Sequence, residues 1–125
     1  MMHIKKIDHL VITTTDIEAC LTFYQAIGFT CRCISGRYEL FAGDFKINVH
    51  CKGKELYPHA AYVQCGSADI CFEVEQIEKV KEHLEKQAIQ IDEGIVERTG
   101  VKGAMKSIYI RDPDGNLLEF SSYSI

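Results

Sequence analysis

The chain has 125 residues, enough for one domain with a sizeable core, and its content of 46% hydrophobic and 26% charged residues is that of an ordinary globular protein. A formal net charge of −4 without any basic run excludes the electrostatic footprint of a nucleic-acid binder or of a protein drawn to anionic membranes. No stretch approaches the ~20 apolar residues of a membrane span, and the charged N-terminus, MMHIKKIDHL, lacks the apolar region of a signal peptide, so a cytoplasmic protein is expected.

In chain order, residues 7–13 read as a strand. The following TTTD stretch opens a helix, with Thr15 and Glu18 spaced as a capping box. Ile17, Cys20, Leu21, Tyr24 and Ile27 then recur at helical spacing, and Gly28 is the expected stop. Residues 30–34, 38–42 and 45–50 read as strands, separated by Ser35-Gly36 and Gly43-Asp44. Residues 70–74 form the next strand. A second helix runs through EQIEKVKEHLEKQ, with Ile77, Val80 and Leu84 as its apolar stripe. Strands are expected at 89–93, 105–110 and 117–121, with EGIVERTGVKG as a long loop and Asp112-Pro113-Asp114-Gly115 as a turn.

Six cysteines (Cys20, Cys31, Cys33, Cys51, Cys65 and Cys71) are scattered without a Cys-x-x-Cys pair and read as reduced thiols rather than a metal cluster. Cys31 and Cys33 lie two apart on a strand. Their side chains are then roughly 7 Å apart, beyond the ~4 Å Cβ separation of a disulfide.

The element order is β-α-β-β-β, twice, which predicts an α+β domain of two modules at residues ~4–60 and ~66–125. DHLVITTTDIE matches ADICFEVEQIE at an offset of 60, pairing His9 with Asp69. GDFKINV matches DGNLLEF at an offset of 71, pairing Asn48 with Glu119. Strand alternation assigns Leu10, Ile12, Ile47, Val49, Ile70, Phe72, Val74, Leu118 and Phe120 to the helix side. The opposite face then carries His9, Asn48, His50, Asp69, Cys71, Glu73, Glu119 and Ser121, so Glu119 does not interrupt a core strand. That face is either simply wet, as one-sided sheets are, or a divalent metal site of nitrogen and carboxylate donors. His3 and His83 read as surface residues and His59 as a loop residue.

IDHLVITTTDIEACLTFYQAIGF resembles the opening of a vicinal oxygen chelate module, a first strand with its His and a helix ending in FY-x3-GF. SIYIRDPDGNLLEF resembles the closing signature of that superfamily, a DPDGN turn leading into a strand that carries Glu. The resemblance is nearest to small stand-alone glyoxalase-domain proteins, which share KINVH-like, GSADICF-like and VERTGVKG-like segments.

It implies two βαβββ modules forming a cup-shaped mixed sheet with helices outside, around a divalent metal (Zn, Ni, Mn or Fe), in a homodimer. The shared chemistry is chelation of a substrate through two neighbouring oxygens, with the metal as Lewis acid. Carried over by position, His9 and Glu119 are ligands. Asn48 stands where glyoxalase I has a carboxylate, and Asp69 where most metal-binding members have a His. Asp69 still offers a ligand oxygen, and His50 is either the replacement imidazole or, like Asn48, a substrate contact. Glu119 is also a catalytic base, with Glu73 and Tyr109 as further acid/base groups. Arg98 and Lys102 are placed to anchor an anionic substrate group. Two other readings remain open: a metal-free binding protein with the same cup, and an extradiol-type dioxygenase. The partner in each case is a small molecule, with no nucleic acid or membrane.

Overall fold

The computed structural model describes residues 1–123. The elements run β1 (His9–Thr14), α1 (Ile17–Ala26), β2 (Thr30–Ile34), β3 (Arg37–Ala42), β4 (Phe45–Cys51), β5 (Asp69–Glu73), α2 (Ile77–Lys86), β6 (Glu93–Gly100), β7 (Gly103–Arg111) and β8 (Leu117–Tyr123). The chain divides into two compact units, the first ending at Cys65 and the second beginning at Gly66. Each unit is one β-α-β-β-β module, so the α+β class and the repeat of element order both hold.

The two sheets share one topology, β1-β4-β3-β2 in the first unit and β5-β8-β7-β6 in the second. In each, the first and last strands of the module pair in parallel and the other pairs are antiparallel. The first unit buries Ile12, Leu40, Ile47 and Val49 with Cys20 and Tyr24 of α1. Tyr24 meets Phe29 edge-on at 5.3 Å. The second buries Phe72, Ile108, Ile110, Leu118 and Phe120 with Ile77 and Leu84 of α2, and Phe72 stacks on Phe120 at 5.5 Å. Burial of one such side chain contributes about 1.5–3 kcal/mol. The buried strand residues Ile12, Ile47, Val49, Phe72, Leu118 and Phe120 all belong to the set that alternation assigned to the helix side.

Two local expectations differ. The cap of α1 is Asp16, not Thr15. Asp16 holds extended backbone (φ −146°), and its side chain accepts from the Ala19 N–H at 3.1 Å, which satisfies one orphan donor of the first turn. Gly28, at φ +110°, ends the helix as expected.

The second difference is β6, expected at 89–93 with a long loop after it. The strand lies at Glu93–Gly100, inside the segment read as loop, and pairs with β7 through a bulge between Gly94 and Val96. It is an edge strand held by its backbone ladder rather than by burial, so most of its side chains are exposed and no apolar alternation marks it. Arg98 is therefore a strand residue, and Lys102 sits in the tight turn between β6 and β7. No helix of the described residues is long and apolar enough to cross a membrane.

Candidate functional site

The strand registers place the sequence-predicted residues within each unit. In the first, His9 lies opposite Lys46, Val11 opposite Asn48, and Thr13 opposite His50. In the second, Asp69 lies opposite Leu117, Cys71 opposite Glu119, and Glu73 opposite Ser121. The offsets of 60 and 71 carry each of the first three pairs onto the corresponding pair of the second set. His9 and Asn48 are thus diagonal neighbours, as are Asp69 and Glu119, a relation that brings Cβ atoms to within roughly 7–8 Å. His9 and His50 are four rungs apart, about 13 Å along the strands. That distance separates two imidazoles the sequence placed on one face.

In the first unit, His9 Nδ1 lies 2.8 Å from the Asp8 carboxylate. The hydrogen bond from the ring holds the Asp8 carboxyl below the usual range. An ionised carboxylate only accepts, so Nδ1 carries the hydrogen, and in the neutral imidazole the Nε2 lone pair is left for another partner. Carboxylate-fixed tautomers of this kind are the usual state of metal-ligating histidines. Lys46, beside His9, is paired with Glu39, and this contact lowers the Glu39 pKa.

Asn48 Oδ1 is buried and has no hydrogen-bond partner. Its two rung neighbours explain this. Val11 has no donor, and the Glu39 carboxylate can only accept. A buried amide oxygen without a donor suits a cation or an external donor, because leaving it unmet costs about 1–3 kcal/mol. A cavity of about 300 Å³ in this unit is lined by Tyr38, Lys46, Asn48, His50, Lys54 and Leu56, among others.

In the second unit, Glu119 is flanked by Cys71 on one rung and Tyr109 on the other. Ser121 Oγ donates to Glu119 Oε2 at 3.0 Å. Ser107 Oγ lies 2.6 Å from Ser121 Oγ, with both serines fully buried, and Cys71 Sγ lies 3.3 Å from the same oxygen. Burial raises the Cys71 thiol pKa, the Ser121 hydroxyl opposes the shift, and the Glu119 and Asp69 carboxylates add to it. Arg98 Nε donates to the Tyr109 hydroxyl at 2.9 Å. Burial also raises the Tyr109 phenol, Arg98 opposes this, and the Glu119 charge and hydrogen bond reinforce it. Arg98 and Lys102 each lie near a carboxylate of their own unit, Glu93 at 3.7 Å and Glu73 at 3.8 Å.

The closing turn, read from sequence only as a turn, is a buried polar hub. Asp112 Oδ1 accepts from the Asn116 N–H at 2.9 Å and the Asp114 N–H at 3.0 Å, and Oδ2 from Asn116 Nδ2 at 2.7 Å. Asn116 Oδ1 accepts from the Ala68 N–H at 2.8 Å. The turn that launches β8 is thereby tied to the residue that precedes Asp69. Sequence reasoning also missed Ser107. Its one signal is a small hydroxyl between Met105 and Tyr109 in an alternating strand.

Among the described residues no group of three His, Cys, Asp or Glu side chains is arranged to hold a metal ion. The donor types in each unit nevertheless suit a hard or borderline divalent ion: an imidazole nitrogen of His9 and the unmet Asn48 oxygen in the first, the carboxylates of Asp69 and Glu119 in the second.

A sequence model of the Glyoxalase/Bleomycin resistance protein/Dioxygenase superfamily matches residues 6–120. A glyoxalase domain-containing protein, RDO1 of Mycosarcoma maydis, is 44% identical over 98% of this chain and 70% of its own length. Virulence protein STM3117 of Salmonella typhimurium is 45% identical over 98% of this chain and 87% of its own. The solved structure of an integron cassette protein from the mobile metagenome of V. cholerae superposes with a TM-score of 0.95, at 44% identity over 99% of both chains. The chain belongs to the Glyoxalase/Bleomycin resistance protein/Dioxygenase superfamily.

Proposed function

We propose that this superfamily member is a metal-dependent, cytoplasmic, homodimeric enzyme with lyase or isomerase chemistry on a small substrate bearing two neighbouring oxygens. The observation that carries the reading is His9, with Nδ1 held by Asp8 and Nε2 left free. The unmet Asn48 oxygen supports it. His9 and Glu119 would hold the metal, with Asp69 or His50 completing the set. When bound, Zn, Ni, Mn or Fe supplies Lewis-acid polarisation of a substrate oxygen.

The remaining work falls to the chain itself. Glu119 accepts a proton from substrate. Tyr109, its hydroxyl oxygen engaged by Arg98, keeps its own hydrogen for a substrate oxygen or for Glu119. Glu73 is a further acid/base group. Lys102 and Arg98 orient an anionic substrate group when it displaces their carboxylate neighbours, pairs that at exposed positions are worth little. Asn48 and His50 contact substrate in the cavity of the first unit.

Elemental analysis of protein purified without chelator tests this, followed by metal titration of variants. One equivalent of metal is expected. Asp69→Ala should weaken binding by at least about tenfold, or ~1.4 kcal/mol. A larger loss in His50→Ala would make His50 the third ligand. Protein that neither carries nor takes up metal would sink the reading and favour a metal-free binding protein using the same cavity. Iron with oxygen uptake on a catechol would favour the dioxygenase alternative.

A further inference from the structure

We infer that Ser107 and Arg98 are positioning residues for Glu119, Ser107 acting through Ser121 and Arg98 through Tyr109. The inference deepens the proposed role of Glu119 and rests on that reading for its functional meaning, though its geometry does not.

Hydroxyl hydrogens settle the direction of each chain. Ser121 has one hydrogen, and it is committed to Glu119 Oε2 at 3.0 Å. The contact of 2.6 Å between Ser107 and Ser121 must then run from the Ser107 hydroxyl to the Ser121 oxygen. The Cys71 sulfur also lies 3.3 Å from that same oxygen. Ser107 thus fixes the rotor of Ser121 by filling its lone pair, and the Ser121 hydrogen is aimed at the carboxylate. Ser107 and Ser121 are rung partners on β7 and β8 and are fully buried, so water does not compete for either hydroxyl.

The rung beside Glu119 offers a second donor. Tyr109 is the β7 rung partner of Glu119. Arg98 Nε, a donor with no lone pair to offer, occupies the Tyr109 oxygen at 2.9 Å. Arg98 is in turn held by its Nη1 on the Glu97 carbonyl at 2.8 Å. The phenolic hydrogen is left to point away from Arg98. Two chains of donors thus meet at the position of one carboxylate, Ser107 acting through Ser121 and Arg98 through Tyr109, its rung partner. Hydrogen bonds in series polarise one another, so loss of an outer donor weakens the inner bond as well as freeing its rotor.

The test reads the carboxylate directly. The Glu119 Cδ resonance is recorded in metal-free, 13C-labelled protein for wild type, Ser107→Ala and Arg98→Lys. Zinc affinity of the same proteins is measured by competition with a chromophoric chelator. Arg98→Lys keeps the charge and removes the Nε donor, so a purely electrostatic role predicts no change from it. Both variants are expected to shift the Cδ resonance while melting within a few degrees of wild type. Both should bind zinc about tenfold more weakly, the lower end of what partners outside the ligand set contribute. An unmoved resonance in Ser107→Ala overturns the serine chain, and one in Arg98→Lys overturns the tyrosine chain. Shifted resonances in a protein that binds no zinc at all would uphold the positioning and refute the metal reading.

Discussion

Asp112→Ala should be among the most damaging single changes in the second unit. Asp112 is 4% exposed and its partner Asn116 is 1% exposed. Truncation strands two buried donors, the Asn116 N–H and Nδ2–H, and one partly buried donor, the Asp114 N–H. A buried donor left unmet costs about 1–3 kcal/mol, and two such donors cost about 2–6 kcal/mol. Relief from burying a carboxylate returns part of this, since desolvation of an ion is itself expensive. A net loss of about 3 kcal/mol is expected, a large share of the ~5–15 kcal/mol that holds a domain folded. Asp112→Asn should cost less, because one oxygen remains for the two backbone donors. It still sets its own amide N–H against the Asn116 amide, whose oxygen is held by the Ala68 N–H. Urea unfolding with a common m-value gives both numbers. Amide exchange at Ala68 adds a local reading, as its protection depends on an oriented Asn116. A loss below about 1 kcal/mol in Asp112→Ala, with Ala68 still protected, would refute the hub.

Gly66→Ala tests the same region from the other side. Gly66 sits at φ +78°, where a side chain costs about 1–2 kcal/mol, and a Cβ there would also collide with the Asp114 carbonyl oxygen, so a loss of at least about 2 kcal/mol in all is expected by urea unfolding. Cys71 offers a pH-dependent check. Its thiol pKa is raised, so the reactive thiolate forms late, and the alkylation rate should still be climbing above the ordinary thiol value of ~8.5. Glu119→Gln should move that midpoint down, because it removes one of the carboxylates that disfavour the thiolate; an unchanged midpoint would place Glu119 away from the sulfur.

How far the sequence could be read depended on whether burial or backbone bonding shaped each element. Strands β1, β4, β5 and β8 were legible because Ile12, Val49, Phe72 and Leu118 alternate with polar residues. β6 was not, because an edge strand paired on one side leaves no apolar trace, and Glu97, Arg98 and Thr99 read as loop. The hub at Asp112 was legible only as a turn, since nothing in DPDGN says which carboxylate will be buried. The internal repeat carried furthest. It equated Asn48 with Glu119 from two short matches, and the registers of β1 with β4 and β5 with β8 fall on the same offsets. What it could not convey is how differently the two slots are furnished. Glu119 has Tyr109 on one rung and Cys71 on the other, with Ser121 two residues along its own strand. The matching neighbours of Asn48 are Glu39, Val11 and His50. Donors surround the carboxylate, whereas a second acceptor and an apolar side chain flank the amide on its rung. The two halves therefore keep one backbone frame but treat the equivalent oxygens oppositely. One carboxylate is held in place from within its own sheet, and one amide oxygen is left for something its own sheet does not supply.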